Sequence, residues 1–163
     1  MPFDHPSDNP LLAAWDAPHG LPPFSAIRPE HFAPAFAQAL ARHRAEVDAI
    51  AACDEAADFA NTVAAFDTAG ADYKRIERAF SNLTASATSP ELQAAERELA
   101  PRLAAHDAAI YLHEALFARI DAVHEHRQEL GLTPEQLRLT ERIHLDFVRA
   151  GARLAPAARA RVA

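Results

Sequence analysis

One cysteine, Cys53, stands in 163 residues, which excludes an internal disulfide and a cysteine-built zinc cage and suits a reducing compartment. Its expected state is a buried, inert thiol, with no histidine nearby in sequence to activate it. Glycine is almost as scarce, with four residues, and no Gly-rich phosphate loop or G-x-S-x-G elbow can be assembled from them. Long apolar runs are missing too: nowhere do eighteen apolar residues follow one another, so no membrane partner is expected. Met1 to Pro10 has neither a basic nor an apolar targeting region, and a cytoplasmic location is the expectation. Positive charge is in deficit, 16 Lys and Arg against 23 Asp and Glu for a net charge of −7. Phosphate-binding surfaces need clustered cations, so no nucleic-acid partner is expected. Arg149, Arg153, Arg159 and Arg161 gather near the end of the sequence, but without interleaved aromatics they read as a solvated helix face.

What is present favours helix. Half of the residues are apolar, and the many alanines among them promote helix while burying little area each. The core must therefore come from nine Phe and the scattered Leu, Ile and Val. Six of the twelve prolines precede residue 28, and proline fixes φ and removes a donor, so residues 1–28 are expected to form an extended arm. Leu11, Leu12, Trp15, Leu21, Phe24 and Ile27 make this arm too apolar for a free tail, and it should pack on the domain formed by residues 29–163.

From Pro29 the period becomes helical, with Phe32, Phe36, Leu40, His43, Val47 and Ile50 three or four residues apart. A second helix is expected from Asp58, its cap, to Ala69, stopped or bent by Gly70, and a third carries Tyr73, Ile76, Phe80 and Leu83. Ser89-Pro90-Glu91 opens a fourth, with Leu92, Leu99, Leu103, His106 and Ile110 inward. Pro101 should kink it or divide it in two. The fifth is expected over 113–130, burying Leu116, Ile120, Val123 and Leu130. The sixth starts at the capping box Thr133-Pro134-Glu135-Gln136 and carries Leu139, Ile143 and Phe147 to Gly151, beyond which 155–163 could open another. No period-two alternation appears, so the fold class is all-α, a bundle-like set of helices.

Nine histidines raise the question of a metal. The spacing His-Glu-x-x-His, which puts two imidazoles on one helix face, fails after His113-Glu114 and after His124-Glu125. Glu141-Arg142-Ile143-His144 has the spacing of a two-metal bundle site, and Asp121-Ala122-Val123-His124 is a poor relative of it. A complete site needs two such elements and two further glutamates, so these groups read as solvated side chains. His43 and His106 read as hydrogen-bonded, half-buried histidines, and Asn82-Leu83-Thr84 as a chance sequon within a helix. The residues supply no catalytic, cofactor-binding or metal site.

Asn9-Pro10-Leu11-Leu12, Leu21-Pro22-Pro23-Phe24 and Ile27-Arg28-Pro29-Glu30-His31-Phe32-Ala33-Pro34-Ala35 resemble the start of the thimet oligopeptidase and oligopeptidase A family, bacterial peptidyl-dipeptidases in particular. The resemblance continues through Phe59-Ala60-Asn61-Thr62-Val63, Phe80-Ser81-Asn82-Leu83, Ser89-Pro90-Glu91-Leu92-Gln93, Pro101-Arg102-Leu103-Ala104-Ala105-His106, Leu116-Phe117-Ala118-Arg119-Ile120 and Asp146-Phe147-Val148-Arg149-Ala150-Gly151. Ala60 departs from it, standing where the family pattern has a glutamate. The resemblance implies a helical N-terminal region of a zinc peptidase that releases C-terminal dipeptides, cut off before the catalytic region that bears His-Glu-x-x-His and a further glutamate ligand. It implies one wall of a channel for short peptides, zinc in the parent enzyme, no cofactor in this portion, and no activity of the portion alone. The missing C-terminal catalytic region would be its partner, and apolar surface left bare would promote self-association. The alternative is a free-standing helical adaptor, which leaves the ordered family patterns without a reason.

Overall fold

The computed structural model describes residues 9–154. Helices make up its regular structure, and no strand occurs among the described residues. In chain order they are α1 (Phe32–Ala51), α2 (Ala65–Thr68), α3 (Ala71–Ser86), α4 (Pro90–Tyr111), α5 (Glu114–His126) and α6 (Pro134–Ala150), with a π-helical turn at Phe59–Ala64 and 3-10 turns at Pro18–Gly20 and Pro29–His31. The chain forms two compact units. Among the described residues, one takes 9–43 together with Gly70–Arg102, and the other takes Arg44–Ala69 and 103–154.

In the first unit the aromatic residues spaced along α1 meet those of α3. Phe32 and Phe36 are fully buried; the Phe80 ring lies 4.6 Å from Phe32 and meets Phe36 edge-on at 5.6 Å. These tilted and T-shaped pairs bring the positive ring edge to the negative face, an arrangement worth about 0.5–1.5 kcal/mol beyond area burial. Within residues 9–28, Leu11 is fully buried. Asn9 fastens the same stretch by donating from Nδ2 to the His31 carbonyl at 2.8 Å. Trp15 gives its indole N–H to the Pro10 carbonyl at 3.0 Å and lies under the Arg75 guanidinium, 4.5 Å from the ring centroid, a cation–π contact. Arg75 also donates to the Leu11 carbonyl at 3.2 Å, so a single arginine holds both residues.

The second unit packs α5 and α6 with the π turn around Val47, Val63, Ile110, Leu116, Ile120, Val123, Ile143 and Phe147. Phe147 is fully buried and is ringed by Tyr111 at 5.0 Å, Phe66 at 5.3 Å and Phe117 at 6.0 Å.

Helix starts follow their local signals. Asp58 accepts from the Asn61 N–H at 2.7 Å while Asn61 Oδ1 accepts from the Asp58 N–H at 3.0 Å. Thr133 and Gln136 form the same reciprocal pair at 3.3 and 3.0 Å, satisfying amides that a helix leaves free. Gly70 and Gly151 adopt φ of +70° and +101°, left-handed values that glycine takes without a Cβ penalty.

Three expectations are corrected and one alternative is closed. Pro29 opens a 3-10 turn and the α-helix begins at Phe32. The segment after Asp58 begins as a π turn, with the Ala65 N–H bonded to the Ala60 carbonyl five residues back. α4 runs unbroken through Pro101, which rules out two short helices. α5 ends at His126, because the Arg127 side chain turns back and donates to the His124 carbonyl at 2.6 Å, satisfying a group that another turn would have used. Leu130 consequently lies outside the helix and is 40% exposed. The segment 155–163, read as a possible further helix, lies outside the described residues, as do Arg159 and Arg161.

Candidate functional site

The densest group of chemistry-bearing side chains lies in the second unit, where α5 meets α6. Asp121 and His124 stand three residues apart on α5, hence on one helix face. His144 comes from the middle of α6, whose face is fixed by buried Thr140, Ile143 and Phe147. One ligand-capable atom from each of the three lies within 4.8 Å of the others. The His144 Nε2 is 2.8 Å from the Asp121 carboxylate, and the two imidazoles stack with centroids 3.7 Å apart and planes 5° from parallel. Phe117 covers the His144 ring at 5.9 Å. Arg153, just past the end of α6, donates to the same Asp121 oxygen at 2.8 Å and approaches the His144 Nε2 at 3.3 Å.

The electrostatics follow from these neighbours. Burial pushes the Asp121 carboxyl upward, but the hydrogen bonds from Arg153 and His144 and their positive charges outweigh it and hold the group below its ordinary value. Burial lowers the affinity of His124 for a proton, and His144 and Arg127 lower it further against the opposing pull of Asp121 and Glu141. Among the described residues the His124 ring makes no hydrogen bond. It is a half-buried imidazole whose environment favours the unprotonated ring.

Two expectations from the sequence need correction here. His144 is buried at 7% exposure and bonded, not a solvated side chain, and Arg153 belongs to this cluster instead of forming a free basic face. The Glu141–His144 spacing was the wrong pair to inspect, since Glu141 engages Arg127 at 3.6 Å and Arg138 at 3.9 Å. A search along single helices misses the cluster because its ligands come from two of them. The signal that could have found it is the phase: His144 lies one position from Ile143 and three from Phe147 on the apolar side of α6.

The remaining histidines have other work. His113 caps α5 by accepting from the Leu116 N–H at 3.2 Å. His43 is buried and stacks on Tyr73 at 5.6 Å, and His106 is half-buried.

A second polar assembly is structural. Arg119 on α5 donates to the carbonyls of Cys53 and Glu55 at 2.7 and 2.9 Å and to Asn61 Oδ1 at 2.9 Å. One guanidinium thereby ties down the loop between α1 and the π turn, using the fixed fork of donors that lysine lacks. Asn61 is itself the partner of the Asp58 cap and donates to the Ala56 carbonyl at 2.9 Å.

Comparison with known proteins finds relatives along nearly the whole chain. The chain is 42% identical over 156 residues, 96% of its length, to a dipeptidyl carboxypeptidase of Salmonella typhimurium. The chain is related to one portion of the dipeptidyl carboxypeptidases. A member of that family from Escherichia coli is 40% identical over 154 residues, 94% of this chain, and oligopeptidase A of Salmonella typhimurium is 36% identical over 109 residues, 67% of this chain. The chain spans 23% of the length of each of the two dipeptidyl carboxypeptidases and 15% of that of oligopeptidase A. No family model matches it. Among the described residues no helix is long and apolar enough to cross a membrane.

Proposed function

We propose that this chain is a non-catalytic, N-terminal helical part of a zinc-dependent peptidyl-dipeptidase, where it forms one wall of the channel that admits oligopeptides for release of C-terminal dipeptides. The observation that carries the reading is similarity along nearly the whole chain to enzymes more than four times as long. The all-helical architecture and the absence of His-Glu-x-x-His from the sequence support a supporting role in catalysis. No position of this chain matches a ligand of the family's catalytic zinc: Asp121, His124 and His144 lack the second imidazole one turn along the same helix and the glutamate base between them. The hydrolytic step therefore belongs to residues outside this sequence, and zinc for catalysis belongs to the parent. The remainder of the parent and, through it, short peptides are the partners of this reading; its site is the cytoplasm.

The test is a chimera in which this chain replaces the matching segment of the Salmonella typhimurium dipeptidyl carboxypeptidase. Dipeptide release from a blocked tripeptide should persist in the chimera and be absent from the isolated chain, with or without zinc. Hydrolysis by the isolated chain would overturn the non-catalytic assignment. A folded, zinc-loaded chimera without activity would overturn the proposed equivalence of the two segments.

A further inference from the structure

We propose that Asp121, His124 and His144 form a binding site for a first-row transition-metal dication of the zinc type, separate from the catalytic metal of the parent, with Arg153 as the cation that the metal displaces. Two imidazole nitrogens and one carboxylate oxygen are a donor set that suits zinc, cobalt or nickel and not magnesium or calcium, which demand more oxygen ligands. Three protein ligands leave a fourth position for water, the usual arrangement at an open tetrahedral site.

The ligand atoms are near enough for such an ion, but the two imidazoles stack 3.7 Å apart and 5° from parallel, so His124 must turn out of the stack before both rings can point at one centre. Bonds of about 2.0–2.2 Å place tetrahedral ligand atoms roughly 3.3–3.5 Å apart. The Asp121–His144 pair is already at 2.8 Å, and the full set lies within 4.8 Å. Rotation of the half-buried His124 and Asp121 side chains closes the difference, and His124 sacrifices no hydrogen bond among the described residues in doing so. His144, buried and stacked against Phe117, is the fixed ligand toward which the others turn. It ligates through Nε2 as the neutral ring with its one proton on Nδ1, any second proton leaving to solvent as the metal binds.

Arg153 supplies positive charge at the point where the carboxylate and His144 meet. Its Nη2 lies 2.8 Å from the Asp121 oxygen and 3.3 Å from the His144 Nε2, occupying the approach with a positive charge. The Arg153 side chain is 55% exposed, so it can swing into solvent when a dication takes its place. Metal binding and the Arg153–Asp121 ion pair are therefore mutually exclusive.

The experiment is titration of the chelator-treated chain with cobalt and with zinc, read by the visible absorption of cobalt in a tetrahedral field and by calorimetry. One equivalent should bind, with magnesium and calcium unable to compete. His124→Ala, which removes a ring that makes no hydrogen bond, should weaken binding by about tenfold or more, given that even outer-shell changes cost about 10–100-fold. Arg153→Ala should tighten it, and His126→Ala, at an exposed histidine elsewhere on α5, should leave it unchanged. Circular dichroism of each variant separates loss of the site from loss of the fold. The proposal fails if the folded parent chain binds less than a tenth of an equivalent, if His124→Ala binds as well as the parent, or if Arg153→Ala does not gain affinity. Because the readout is metal binding by this chain, its failure is independent of the peptidase assignment, which the chimera tests.

Discussion

Replacing Arg119 by methionine should release the 52–58 loop while leaving the helices intact. The arginine makes three hydrogen bonds, two to main-chain carbonyls and one to the Asn61 amide oxygen. A hydrogen bond involving a charged group contributes about 1.5–3 kcal/mol, but this guanidinium is only part-buried and its Nε is buried without a partner, so both solvent screening and desolvation reduce the total. A net local loss of about 2 kcal/mol corresponds to an opening equilibrium roughly 30-fold more favourable. The lone cysteine reports on it directly: Cys53 sits in the loop, part-buried, and its carbonyl is one of the anchored groups. In the regime where reclosing outruns the reaction, alkylation of Cys53 should accelerate by about the same 30-fold. Arg119→Lys should recover little, because an ammonium cannot span three acceptors in one plane. Alkylation unchanged in Arg119→Met, or fully restored in Arg119→Lys, would show that the loop is held by something other than the guanidinium fork.

Three further outcomes follow from the packing. Phe147→Ala should destabilise the second unit by about 3–5 kcal/mol, the range for emptying a buried aromatic site, measured by denaturant unfolding. Gly70→Ala should cost more than Gly131→Ala: both take φ above +60°, but a Cβ at Gly70 would meet the His43 ring at 2.8 Å whereas one at Gly131 would meet nothing. Backbone strain of about 1–3 kcal/mol is common to the two, so equal melting temperatures for both variants would refute the steric contribution of His43. The third concerns pH. His31 is buried, and its Nδ1 accepts from the Arg28 N–H at 3.0 Å. Burial lowers its proton affinity, with Glu30 opposing and Arg28 reinforcing. The folded state therefore favours the neutral ring, and the unfolded chain binds more protons as pH falls below about 6.5. Stability from this group is complete above that value and declines as pH drops toward the folded-state value. His31→Gln should flatten the slope of melting temperature against pH between about 7 and 5, and an unchanged slope would assign it to other groups.

Much of the helical order was legible because its signals are local. Asp58, Ser89 and Thr133 act on amides three residues away, Gly151 stops α6 through its own φ, and Gly70 in the same left-handed region opens α3. The aromatic stripe from Phe32 to Phe36 and from Tyr73 to Phe80 revealed the packed faces by period alone. The early stop of α5 is a local effect, the Arg127 side chain bonding the His124 carbonyl three residues back, but two missed features depend on groups distant in sequence. The loop after α1 is fixed by an arginine 64 to 66 positions away from the two carbonyls it holds. The cluster on α5 and α6 is of the same kind. Asp121 and His124 are unremarkable until His144 arrives from a second helix 23 residues beyond Asp121, and only packing brings it there.

The π turn at Phe59–Ala64 bears on how this chain tolerates changes of length. A hydrogen bond reaching five residues back accommodates one more residue per closed ring than the α pattern does. Removing a residue between the Asn61 cap partner and Ala65 therefore allows the wide turn to tighten into an ordinary one, while α2 and the Ala69 that caps it keep their places. The same deletion in the middle of α5 or α6 would rotate every following side chain by about 100° and turn the buried face toward water. Thr62 and Val63 are fully buried, so it is at Ala64 that a one-residue gap in this stretch should cost less than one in the middle of α5 or α6.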